Sequence, residues 1–123
     1  MQEFEFRAWH EGAQKMLYED RAGEAFMWLS QRQPVKIMQF TGLRDKNGKR
    51  IFGGDIVVFK CAYCGNKKIT ATVTYDRFIM SFVFGRGEDG HFRNDATITD
   101  LEVIGNIYEN PELIQLAEGD AND

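Results

Sequence analysis

The stretch TGLRDKNGKRIFGGDIVVF, Thr41 to Phe59, decides how this chain folds. Gly42 permits a sharp turn, Asn47-Gly48 is a strong hairpin signal because both residues tolerate positive φ, and Gly53-Gly54 allows a second corner soon after. Ile56-Val57-Val58-Phe59 then reads as a central strand rich in β-branched residues. Asp55 stands at the mouth of that strand, where its carboxylate can accept hydrogen bonds from the N–H groups of the preceding turn. Gly42, Asn47, Gly48, Gly54 and Asp55 are therefore expected to be structural turn residues.

Working outward, Val35 to Phe40 forms a strand that follows Pro34. Lys67 to Tyr75 partners the central strand, with Ile69, Ala71, Val73 and Tyr75 on one face. Asp76-Arg77 turns into a long strand over Phe78 to Phe84, and the polar, glycine-rich stretch Gly85 to Asp95 reads as a solvated loop. A short strand around Thr97 to Thr99 precedes a last one over Leu101 to Tyr108, where Gly105 marks a bulge or a close backbone approach. At the front, Phe4 to Trp9 alternates with the period of a strand, and Lys15 to Tyr18 returns as the second arm of a hairpin. Asn110-Pro111-Glu112 starts a short helix with Asn110 as its cap, and Glu118 to Asp123 is expected to be a disordered acidic tail. Residues 20–33, with the apolar block Phe26-Met27-Trp28-Leu29, fit a helix or a strand equally well.

The 123 residues, 43% hydrophobic and 13% aromatic with two prolines, are enough for one globular domain that needs no staple. The net charge of −4 weighs against a whole-surface attraction to nucleic acid or anionic membrane. No leader-like segment and no apolar run of membrane-spanning length is present, so the expected location is cytoplasmic, with no membrane partner.

Three segments carry a family resemblance: EFEFRAWHEGAQKMLY at the front, MQFTGLRDKNGKRIFGGDIVVF in the centre and LEVIGNIYENPEL at the end. Together they resemble the YopX family, small proteins encoded by phages and prophages of bacteria. The matching positions are Arg7, Ala8 and Trp9; Thr41, Gly42, Leu43, Asp45, Asn47, Gly48, Gly54, Asp55 and Ile56; and Gly105, Asn106, Tyr108, Asn110 and Pro111. The resemblance implies a mostly β protein with an SH3-like barrel core, additional small β/α elements and a short C-terminal helix. It implies one domain over residues 1–117, with 1–34 as a smaller part packed on the barrel. It supplies no catalytic residues. Gly53 departs from the pattern, since a bulkier or acidic residue is implied there, and the Cys61 to Gly65 turn lies outside the signature.

Candidate sites are each weighed against a plain structural role. Arg44, Lys46, Lys49 and Arg50 surround the Asn-Gly turn and could contact phosphates, but the same charges describe a solvated turn capped by Asp45. Cys61-x-x-Cys64-Gly65 matches half of a tetrahedral zinc site; the other half would have to come from His91, His10, an acid or a second subunit. A redox pair is less suited to a turn between two strands. Without the metal, the segment is a hairpin loop with two thiols, and no cofactor is required. No histidine, cysteine or acid is spaced as a triad, so no enzyme activity is expected.

Between Ile79 and Phe84 both strand faces are apolar, which calls for a covering layer or a second subunit. The leading expectation is a non-enzymatic phage or prophage interaction module that self-assembles or binds a host or phage protein. The alternative is a nucleic-acid-associated accessory protein using the Arg44 to Arg50 tip.

Overall fold

The computed structural model describes residues 5–18, 27, 30–32, 34–86 and 90–117. The acidic tail, most of the ambiguous 20–33 segment and Glu88-Asp89 lie outside the described residues.

Among the described residues the protein is mostly β, with two sheets and a short helix near the C-terminus. Strands β1 (Phe6–His10) and β2 (Lys15–Tyr18) form the expected hairpin. Strand β3 (Val35–Arg44) pairs with β1 over its first half and with β4 (Arg50–Phe52) over its second, giving a four-stranded sheet in the order β2-β1-β3-β4. Strand β3 thus runs four residues past the expected Phe40 end, because Thr41 to Arg44 find a partner across the Asn47-Gly48 turn. In that turn only Gly48 takes positive φ. This is the geometry of a longer hairpin loop with glycine in the left-handed position, rather than a two-residue turn.

The second sheet, in the order β8-β7-β6-β5-β9, curls into a half-barrel. It contains β5 (Asp55–Cys61), β6 (Lys67–Asp76), β7 (Ser81–Gly85), β8 (His91–Phe92) and β9 (Ile98–Asn106). Three expectations need correction here. The strand foreseen over Phe78–Phe84 begins only at Ser81, since Arg77 to Met80 form the turn and Met80 sits at φ 56, outside extended pairing. The two strands foreseen around Thr97–Thr99 and Leu101–Tyr108 are one, β9, interrupted at Asp100 (φ 54) by a register shift against β5 and ending at Asn106. Asn110 makes no side-chain cap; the chain enters a 3-10 turn at Pro111 before helix α1 (Ile114–Ala117).

Gly105 behaves as the sequence suggests. Register shifts beside it, skipping Ile104, mark a bulge. A Cβ at Gly105 would lie 2.5 Å from Asn110 Oδ1, so the Asn110 side chain occupies the space a larger residue would need.

The main core is built from Ile51, Val57, Phe59, Ile69, Ala71, Val73 and Phe84, the inward positions of β4 to β7. A smaller core of Trp9, Met38, Phe40 and Phe52 serves the four-stranded sheet, and Trp9 stacks on Tyr108 at 5.7 Å between ring centres. Helix α1 packs against β6 and buries Ala117.

Candidate functional site

The corner between β3 and β4 is held by Asp45. Its Oδ1 accepts the N–H groups of Asn47 and Lys49, each at 2.9 Å, and its Oδ2 accepts that of Val103 at 3.0 Å. Burial pushes the Asp45 carboxyl up, but these three donors outweigh it and hold the group below its ordinary value. One carboxylate therefore shapes the hairpin loop and ties it to β9.

The basic residues of this corner have partners within the chain. Arg44 donates to the Gly48 carbonyl at 3.1 Å and lies over the Phe40 ring. Lys46 pairs with Glu102 at 3.4 Å, and Arg50 pairs with Glu5. Lys49 lends its charge to Asp45.

Asp55 does accept from the preceding turn, taking the Phe52 N–H on Oδ2 at 2.8 Å. Sequence reasoning missed its second partner: Arg7 Nη2 lies 2.8 Å from Oδ1, with both side chains inaccessible. The contact is within hydrogen-bond distance, and both its charge and its hydrogen bond favour the ionised carboxylate. Arg7 is also held by Met38 Sδ, the Gly53 carbonyl and the Phe52 ring. Burial raises the Asp55 carboxyl above its ordinary value despite the opposing pull of Arg7.

Cys61 is buried in the main core and Cys64 is half-buried beside it. The two thiols share a hydrogen bond, which together with burial pushes Cys64 up. Gly65 and Asn66 both take left-handed φ, completing a knuckle-like turn. Among the described residues no third Cys, His, Asp or Glu joins the pair. His10 accepts the Ala13 N–H, and His91 faces Asp76 at 3.7 Å.

A concavity lies between the sheets, with a cavity volume of about 1010 Å³. One wall is β3 from Ile37 to Leu43; the other is β6 from Thr72 to Tyr75 and the β6–β7 turn through Phe82. Gly53 and Gly54 lie on its floor and join the walls: Gly53 N–H donates to Gln39 O and Gly54 N–H to Val73 O, each at 2.9 Å. Gly54 needs its positive φ of 89, and a Cβ there would come 3.2 Å from Met38 Sδ. Beside the groove the turn exposes Phe78 at 86% and Met80 at 78%, and the end of β6 exposes Tyr75 at 55%, so Tyr75 does not share the buried face of Ile69, Ala71 and Val73. The sequence signalled this excess of apolar residues; Val83 and Phe84 go to the core, and Phe78 and Met80 do not. Nothing in the sequence marked Thr72, Arg93 or Tyr108 as groove residues, since they come from three separate segments.

A small two-sheet β protein with a pinned inter-sheet groove is the class these observations define. The chain belongs to the YopX protein family, whose model matches residues 5–115. It is similar to the crystal structure of protein EF1440 from Enterococcus faecalis, with 26% identity and a TM-score of 0.61 over 93% of this chain and 99% of that one. It is similar in fold to protein yopX from Bacillus subtilis, with 18% identity and a TM-score of 0.56 over 89% of this chain and 96% of that one. No curated protein matches the chain. Among the described residues no helix is long and apolar enough to cross a membrane.

Proposed function

We propose that this protein is a non-enzymatic interaction module, a phage or prophage accessory protein of the bacterial cytoplasm that works by holding another protein. The observation that carries this reading is the open groove beside the exposed Phe78, Met80 and Tyr75. Contiguous exposed apolar side chains at the rim of a concave site are a feature of protein-binding surfaces. Self-association through the same turn is a variant of this reading. The internal partners of Arg44, Lys46 and Arg50 support it over phosphate binding, which would first have to release those charges.

The test is a photocrosslinking amino acid placed at Phe78 and, as control, at exposed Asn47, in bacterial cells producing the protein. Discrete protein adducts from Phe78 alone are expected. Their absence, or salt-dependent DNA binding that is lost on neutralising Lys46, Lys49 and Arg50, would replace this reading with the nucleic-acid one or leave it without support.

A further inference from the structure

Strand β7 is paired with β6 along its whole length, from Ser81 to Gly85, but β8 covers only Phe84 and Gly85 on the other side. Among the described residues no strand neighbours the outer edge of Ser81 to Val83, and Ser81 and Phe82 line the groove. Continuing the β8 register would set Arg93 opposite Val83 and Asn94 opposite Phe82, but β8 ends at Phe92 and Arg93-Asn94 stand at the groove instead. An unpaired strand edge is a template for an added strand.

The charge of the groove is as specific as its shape. Arg93 is the single charged side chain among the described residues that line it, in a chain whose net charge is −4. Arg93 makes no hydrogen bond or ion pair among the described residues. The neighbouring Asp95 feels the Arg93 charge, but its Oδ1 is taken by the Thr97 N–H and hydroxyl. On the β6–β7 turn Arg77 covers the face of its neighbour Phe78 at 5.3 Å.

We infer that the groove takes an extended segment of a partner protein by strand addition along Ser81–Val83, and that Arg93 selects a segment carrying a carboxylate side chain among apolar ones. This rests on the interaction-module reading and names the partner's chemistry. Main-chain hydrogen bonds to β7 would supply register, and Phe78 and Met80 would cover the apolar residues of the incoming strand.

The test begins with selection from a random-peptide display library on the intact protein. The leading peptide is then synthesised in three forms: unmodified, with its acid replaced by the amide, and with alternate backbone nitrogens methylated. Enriched peptides should combine an acidic residue with apolar ones. Binding should weaken about tenfold or more with either altered peptide, and likewise in Arg93→Glu. Arg93 is exposed, and unchanged circular dichroism of that variant confirms that the fold is intact. Enriched peptides that lack acids, ignore Arg93→Glu and tolerate methylation, yet are lost in Phe78→Ser, overturn this inference and leave the module reading standing. Binding insensitive to Phe78→Ser as well overturns both. A dimer in sedimentation that Phe78→Ser dissolves assigns the edge to a second copy and overturns the partner-segment inference.

Discussion

Arg7 of β1 and Asp55 of β5 meet at 2.8 Å with exposures of 2% and 1%, so one buried ion pair bridges the two sheets. Removing one member strands the other charge in the interior, which typically costs about 3–5 kcal/mol. Arg7→Met is expected to destabilise by that amount in urea unfolding. The double variant Arg7→Met/Asp55→Leu should recover much of the loss, leaving a deficit of about 1–3 kcal/mol because the Phe52 N–H loses its acceptor.

The same pair predicts a pH signature. Burial raises Asp55 above its unfolded value, so the folded state holds that proton more tightly. Its contribution to stability therefore falls as pH rises through the window from the unfolded to the folded value. Without Arg7 the window extends upward, and Arg7→Met should regain stability relative to the parent as pH is lowered from neutral. A gap between the two urea midpoints that stays constant over this range would contradict it.

Asp45 carries the opposite sign. Its folded value lies below the unfolded one, so its contribution is present above the ordinary carboxylate range and is lost as pH falls through the folded value. Asp45→Asn should cost about 1–3 kcal/mol at neutral pH, and the difference from the parent should shrink in strongly acidic solution.

Gly105→Ala forces a methyl group against Asn110, whose Oδ1 also accepts the Asn106 N–H at 3.2 Å. An overpacking loss of about 1–3 kcal/mol is expected. Adding Asn110→Ala removes the two shortest contacts and leaves only the residue-110 Cβ at 3.0 Å, so the double variant should be less destabilised than the sum of the singles.

Two phenylalanines near each other in sequence should answer differently to truncation. Phe84, in ring contact with Phe59 at 5.3 Å and buried, should cost about 3–5 kcal/mol as Phe84→Ala. Phe78→Ser, on the exposed turn, should stay within about 0.5 kcal/mol, as thermal or urea unfolding would show.

Much of the frame was legible because it rests on local signals. The hairpin at Asn47-Gly48, the alternation of Ile69, Ala71 and Val73, and the constraint at Gly105 are all properties of neighbouring residues. The Phe78 boundary was misread because apolar residues of both parities imitate a long strand, and the left-handed backbone of Met80 leaves no mark in composition. Asp55 was correctly read as a turn acceptor. Its partner Arg7 stands 48 positions away, and a charge buried by tertiary contact resembles any surface arginine in sequence. The groove was illegible for the same reason, being assembled from separate segments whose meeting is a product of the fold.

The glycine pair at 53–54 gives the groove a fixed gauge. Because its two amides fasten one wall to the other, a segment held there under the proposed binding role would be measured, as by a caliper, rather than enclosed. A Cβ at Gly53 would come 3.4 Å from the Phe82 ring, so a larger residue at this position would narrow the groove. A substitution there could retune which segments pass while the frame that measures them stays the same.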